Sequence, residues 1–252
     1  MRRLLYVPII HLEADLGSLA PAISARSAAL CGPRRWKKHL ETVRQYWQQV
    51  ADYLEGLEAR QVKIYQDGLP AGGELGRRVV TEGARRDSPN YRLILRLLEK
   101  GAELRKTEDY ALLQQEYQRL ARLASNPTLD REAQTDRDPG LGTEERDRYV
   151  ALTIGETLKE GEIGLLFMGA YHRVLDYLPA DIAVERVKEP EKVRAYFQQL
   201  LKKGADTELE RLARYLVSPP GRAGSSPGQG SPSHFTLPLQ GEDEEEPGPE
   251  VV

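Results

Sequence analysis

The chain has 252 residues, 40% hydrophobic and 30% charged, with a formal net charge of −3. That is enough for one sizeable α/β domain, and the absence of a basic excess excludes a general nucleic-acid binder. A single cysteine, Cys31, excludes an intramolecular disulfide. Residues 219–252 hold one arginine and six acids, which leaves 35 basic and 33 acidic residues in the rest of the chain. No apolar run approaches the roughly 18 residues a membrane helix needs. Arg2 and Arg3 precede an apolar stretch, but it contains Pro8 and soon meets His11, Glu13 and Asp15, too short a run for a signal peptide. A soluble, cytoplasmic protein is the expectation, with no membrane partner and no nucleic acid.

Leu4–Ile10 has the length and composition of a buried strand. Residues 17–33 lack periodicity and read as loop or weak helix. From Pro33 to Ala59, Trp36, Leu40, Val43, Trp47, Val50, Leu54 and Leu57 follow one another at spacings of 4, 3, 4, 3, 4 and 3. This is a one-face helical stripe, with Pro33 in the first turn. Its expected use is packing on the sheet; its heptad spacing also permits a homodimer through the Trp36–Leu57 helix. His39 falls on the polar side of that pattern and is not a site candidate.

Val62–Tyr65 reads as a second strand, stopped by the turn pair Asp67-Gly68. Helices are expected over 74–86 and 89–100, the latter capped by Ser88-Pro89 and ended by Gly101. The stretch AELRKTED carries a weak third strand, and 110–124 a further helix. Residues 126–142 are polar, with two prolines, and read as an exposed loop. A helix then opens near Thr143, Glu144 and Glu145 and runs to Lys159. Ile163–Met168 is the strongest buried strand; Ile182–Val187 alternates like an edge strand. Helices over 190–203 and 209–217 close the pattern. Strands alternating with helices predict an α/β domain over 1–217, with a mostly parallel central sheet flanked by helices. Residues 218–252 are Pro, Gly, Ser and acidic, a composition that predicts a disordered tail.

In such sheets ligands bind outside the carboxyl ends of the strands. The polar residues that end the strands are His11, Asp67, the group Thr107-Glu108-Asp109, and His172. Two apolar strands that each end on a histidine are the main clue. Imidazole suits metal ligation and proton transfer near neutral pH. Glu13 lies close behind His11, and Glu82 sits in an apolar helical context where a carboxylate could ligate a metal or accept a proton. The Asp67-Gly68 pair reads first as a turn, and Arg146 and Asp147 read first as a solvated helix start. GGELG lacks the lysine and hydroxyl of a phosphate loop, no serine sits in a nucleophile elbow, and no Cys/His cluster fits zinc.

The segment TEERDRYVALTIGETLKEGEIGLLFMGAYHRV resembles the late part of the TraB/GumN/Tiki-like family, within the erythromycin-esterase/ChaN-like superfamily. The resemblance rests on Glu145-Arg146-Asp147 opening a helix, then a strand, then Gly169-Ala170-Tyr171-His172. It covers about 30 residues closely, and a wider pattern of about 170 more loosely. The earlier GxxH of the family would be Pro8-Ile9-Ile10-His11 here, with proline in place of glycine. The family glutamate between the two motifs has Glu82 as its candidate. The resemblance implies an α/β fold and, in some members, metal-dependent hydrolysis.

Two functions are therefore expected. The first is a metal-assisted hydrolase acting on a small-molecule or peptide substrate. His11 and His172 would hold a divalent metal ion with Glu13 or Glu82 as ligand or base, and Arg146 would steady developing negative charge. The second is a non-catalytic ligand-binding or regulatory protein that keeps the same fold.

Overall fold

A computed structural model of the chain describes residues 1–11, 28–125, 141–202 and 206–221. Glu13, the 126–140 part of the expected loop and the 222–252 part of the expected tail lie outside the described residues.

Five strands form one sheet: β1 (Arg2–Ile9), β2 (Val62–Gln66), β3 (Glu103–Arg105), β4 (Ile163–Gly169) and β5 (Ile182–Arg186). Their order is β3-β2-β4-β1-β5, and every pairing is parallel. The helices are α1 (Pro33–Leu54), α2 (Gly73–Arg85), α3 (Pro89–Glu99), α4 (Tyr110–Ser125), α5 (Leu141–Thr157), α6 (Pro190–Leu201) and α7 (Thr207–Val217). The expected α/β architecture is thus the one observed. No helix among the described residues is long and apolar enough to cross a membrane.

Period-two alternation sorts the strand side chains between two cores. Leu5, Val7 and Ile9 of β1, with Leu165 and Phe167 of β4 and Val62 and Ile64 of β2, face the larger core with α1, α3, α6 and α7. Leu4, Tyr6, Tyr65, Leu166 and Met168 face the smaller core beneath α5 and a short 3-10 turn over Val174–Tyr177. Strands buried on both faces read as near-continuous apolar runs, which is why β1 and β4 were legible. β3 and β5 lie at the edges; the expected alternation of β5 is not seen in its burial, since only Ile182 is buried and Val184 is exposed.

Pro8 sits inside the central strand β1, where a missing N–H should break a ladder bond. It does no harm here. Tyr6 gives its carbonyl to Val187 N–H on the β5 side, and Pro8, two residues on, points the same way. By then β5 has ended, since its last partner in β1 is Tyr6. The α1 side chains take over: Tyr46 Oη donates to Pro8 O at 2.5 Å, and Trp47 Nε1 donates to Ile10 O at 3.0 Å.

The stripe on α1 is used within the chain. Val43, Trp47, Val50 and Leu54 are buried, as are Tyr46 and Ala51. His39 departs from the sequence reading. It is 3% exposed rather than on a polar face, with Nδ1 3.1 Å from Tyr196 Oη and its ring against Trp36 and Phe197. The buried arc of α1 is wider than the stripe suggested, because 39, 43, 46 and 50 also follow helical spacing. Burial without a charged partner pulls the His39 pKa down to about 4.

Residues Met1–Gly221 form one compact unit. Its last turn is fastened by Lys188, whose Nζ donates to Tyr215 O, Ser218 O and Ser218 Oγ at 2.8, 2.6 and 3.1 Å. Arg2 fastens the other end, donating to both Asp181 oxygens and to the carbonyls of Gly155 and Leu158 in and just after α5.

Candidate active site at the carboxyl edge

The polar residues that end β2 and β4, or follow β3, meet at one point. Asp67 follows β2 and opens a tight turn in which Gly68 takes φ +72°, a conformation glycine adopts without the usual penalty. The turn aims the Asp67 carboxylate across the strand ends. Oδ2 accepts from Gly169 N–H at 3.1 Å, and Oδ1 accepts from Arg146 Nη2 at 3.0 Å. A turn signal and a site residue coincide at this aspartate. At Gly169, any Cβ would lie 3.3 Å from both Asp67 Oδ2 and the His172 ring, so glycine is what lets β4 end this close to the carboxylate.

Glu108 follows β3 and has no exposed surface. Arg146 grips it with two parallel bonds, Nε to Oε2 at 3.1 Å and Nη2 to Oε1 at 2.6 Å. This fork-on-carboxylate geometry is the strong form of the ion pair. Burial pushes the Glu108 pKa up, and the Arg146 bond does not fully offset it. For Arg146, burial opposes the charge, but Glu108 and Asp67 outweigh it and hold the guanidinium cationic. The helix start at Arg146 and Asp147 is therefore not a solvated face; both side chains are buried.

His172 closes the turn after β4, its N–H donating to Gly169 O at 3.1 Å. The ring is held from below by Asp147, whose Oδ1 lies 2.6 Å from Nδ1. Asp147 Oδ2 accepts from Arg173 N–H at 2.7 Å, which fixes the carboxylate itself. This leaves His172 Nε2 turned toward Asp67, 3.7 Å from Oδ2. Burial would lower the His172 pKa, but Asp67 and Asp147 together outweigh it and raise it. In return, burial would raise the Asp67 pKa, while His172, Arg146, His11 and the Gly169 N–H lower it. Asp67 and Glu108 share one guanidinium, Arg146, while Asp67 and Asp147 flank the imidazole, so with that ring neutral three carboxylates stand against one positive charge.

His11 follows β1, the parallel neighbour of β4, so both histidines stand at the same edge of the sheet. Its side chain is exposed. Glu82 is elsewhere: it lies on the exposed face of α2, paired at 2.6 Å with Arg85 one turn away. The apolar context suggested by its neighbours belongs to Val80 and Gly83, which face inward while Glu82 faces out. Asp67, Glu108 and Asp147 are the carboxylates that the described residues bring into the cluster, and Glu82 is not among them. The signal for the first two was their position just past strand ends.

The chemistry of His172 fits a metal ligand. A ligating histidine commonly donates its other ring N–H to a carboxylate, which fixes the tautomer, and Asp147 stands in that place. Among the described residues, however, no three His, Cys, Asp or Glu side chains are grouped so as to hold one ion. A polar chain supports the site from behind. Asn90 Nδ2 donates to Gln66 Oε1 at 2.9 Å, and Gln66 Nε2 donates to Asp67 O at 3.2 Å. Comparison with protein-family models, with curated proteins and with solved structures finds no match to this chain.

Proposed function

We propose that this protein is a hydrolase with a metal-assisted, two-histidine site at the carboxyl edge of its sheet, acting on a small-molecule or peptide substrate. The observation that carries the reading is the 2.6 Å contact between Asp147 Oδ1 and His172 Nδ1, with Asp67 on the far side of the ring. A cation there would take the place of the proton that Asp67 and Asp147 favour on the ring: with Nδ1–H on Asp147, Nε2 would offer its lone pair to the ion. The surplus of negative charge in the cluster also favours a cation.

His172 Nε2 and Asp67 would be two ligands of that cation, and the exposed His11, at the same edge on the adjacent strand, would have to close on it to complete the set, since no three such side chains are grouped among the described residues. A divalent ion bound there supplies a water of lowered pKa and polarises the substrate. The protein's own contributions are separate. Asp147 fixes the ring and its tautomer. Arg146 neutralises Glu108 and part of Asp67, and so keeps the carboxylates together out of water. The Gly169 N–H holds Asp67 at a fixed angle to the ring. The resemblance to the TraB/GumN/Tiki-like proteins supports the same reading, because Arg146, Asp147, Gly169 and His172, four of the residues that carry it, belong to this cluster, while Glu145 of the same motif is exposed. Membership of that family is part of the proposal.

The test is isothermal titration of the full chain with Zn²⁺, Mn²⁺ and Co²⁺, beside thermal melts and a panel of ester and peptide substrates. One-site binding is expected, lost in His172→Ala and weakened about 10–100-fold in Asp147→Asn. If no metal binds the unaltered chain, the metal part of the reading fails. Metal binding without turnover of any ester or peptide identifies instead a binding protein that has kept the site.

A further inference from the structure

A second cleft lies between α1 and the corner joining α2 to α3, and it shares no residue with the cluster above. Its volume is about 690 Å³, within the range of small-molecule sites. Four arginines line it: Arg44 from α1, Arg86 just after α2, and Arg92 and Arg96 from α3. Asp87 is the only acid on its walls. That aspartate is committed to Arg92 at 2.9 Å, and Arg96 is paired with Glu55 at 2.7 Å. Arg44, on α1, and Arg86, just after α2, have no carboxylate partner among the described residues. The cleft is therefore lined by two surplus arginines that come from separate elements.

The corner that presents Arg86 is unusual in its backbone. Asp87 takes φ +72° and is the only non-glycine among the described residues with positive φ. Such residues cost energy and persist where the surrounding structure demands them. Here Asp87 turns the chain between two helices and leaves Arg86 and Arg92 on the same cleft. Leu40 and Pro89 add an apolar flank.

We propose that this cleft binds a small phosphate-bearing anion. Guanidinium forks match phosphate oxygens two at a time, and a doubly charged phosphate balances the two unpaired arginines. The volume exceeds what a lone phosphate needs, so the ligand carries an organic part or a second phosphate that rests against Leu40 and Pro89.

The probes are pyrophosphate and ATP, titrated into the full chain by calorimetry and by thermal shift at constant ionic strength. Both arginines are exposed, so Arg44→Gln/Arg86→Gln is expected to melt like the unaltered chain when no anion is present. Pyrophosphate or ATP should raise the melting temperature of the unaltered chain, and the double variant should bind about a hundredfold more weakly, about tenfold for each charge-assisted bond removed. Arg44→Lys/Arg86→Lys, which keeps the charge and loses the fork, should fall between them and guards against a folding defect in the first variant. His172→Ala should bind the anion unchanged, which separates this site from the one at the strand ends. Stronger binding of ATP than pyrophosphate identifies an organic phosphate, and the reverse a polyphosphate. The proposal is overturned if sodium chloride at matched ionic strength gives the same shift, or if the double variant binds as well as the unaltered chain.

Discussion

Acid should unfold this protein early, and His39 should be a principal reason. The ring is 3% exposed and packed among Trp36, Tyr196 and Phe197, with no acid beside it. Its pKa falls from an ordinary 6.5 to about 4 in the folded chain. The unfolded state therefore binds a proton more readily between those two values. Stability from this group is fully present above about pH 6.5 and is lost as pH falls toward 4. The linkage integral gives a loss of about 2 kcal/mol by pH 5 and about 3 kcal/mol by pH 4. Against a typical total of about 5–15 kcal/mol, that is a large share. His39→Gln isolates the effect, since the amide can still bond the Tyr196 hydroxyl but does not titrate in this range. Urea unfolding of both proteins at pH 7, 6, 5 and 4.5 measures it. The unaltered chain should lose about 2 kcal/mol more than the variant between pH 7 and 5. Parallel stability curves for the two proteins would show that the buried ring does not drive the acid response.

Two further expectations concern the candidate site. Arg146→Met leaves Glu108, with no exposed surface, and Asp67 without their cation. It should cost about 3–5 kcal/mol in denaturant unfolding, and a cost below about 1 kcal/mol would show that the buried carboxylates do not depend on it. Glu82→Ala removes only an exposed pair with Arg85. It should shift stability by less than about 0.5 kcal/mol and leave metal titration unchanged; loss of metal binding would return Glu82 to the site.

The parts of the molecule that repeat a pattern were legible in the sequence. β1 and β4 are buried on both faces, so their residues are apolar without interruption, and α1 declares itself by spacing alone. The three residues of β3 gave only a weak signal, since an edge strand of that length has almost no room for alternation. The site was half legible. His172 and Arg146 stood out through a motif order, and Asp67 and Glu108 through their places after strands. What periodicity cannot convey is which polar residues turn inward. Arg146 and Asp147 look like a solvated helix start because nothing local shows that Glu108 and His172 meet them. Glu82 misled for the opposite reason: its apolar neighbours face the core on other sides of the same helix turn. His39 was misjudged because a neutral imidazole flanked by aromatics packs like an apolar ring while its letter reads as polar.

The place of β1 in the sheet has a kinetic consequence. Of the five described strands it is the earliest in the chain, yet its two neighbours are β4 and β5. Arg3 lies opposite Ile163, a separation of 160 residues, and its other partner, Ala183, comes later still. The segment β2-α2-α3-β3 can gather its own local contacts while synthesis continues, but β1 has nothing to pair with until the last third of the chain emerges. Closing so long a loop is slow, and the waiting segment LLYVPII is an apolar strand with two bare edges. Nascent chains stalled before residue 163 should therefore be the species most in need of a chaperone, and the last steps of sheet formation are the docking of β1 on β4 and then of β5, whose one strand neighbour among the described residues is β1.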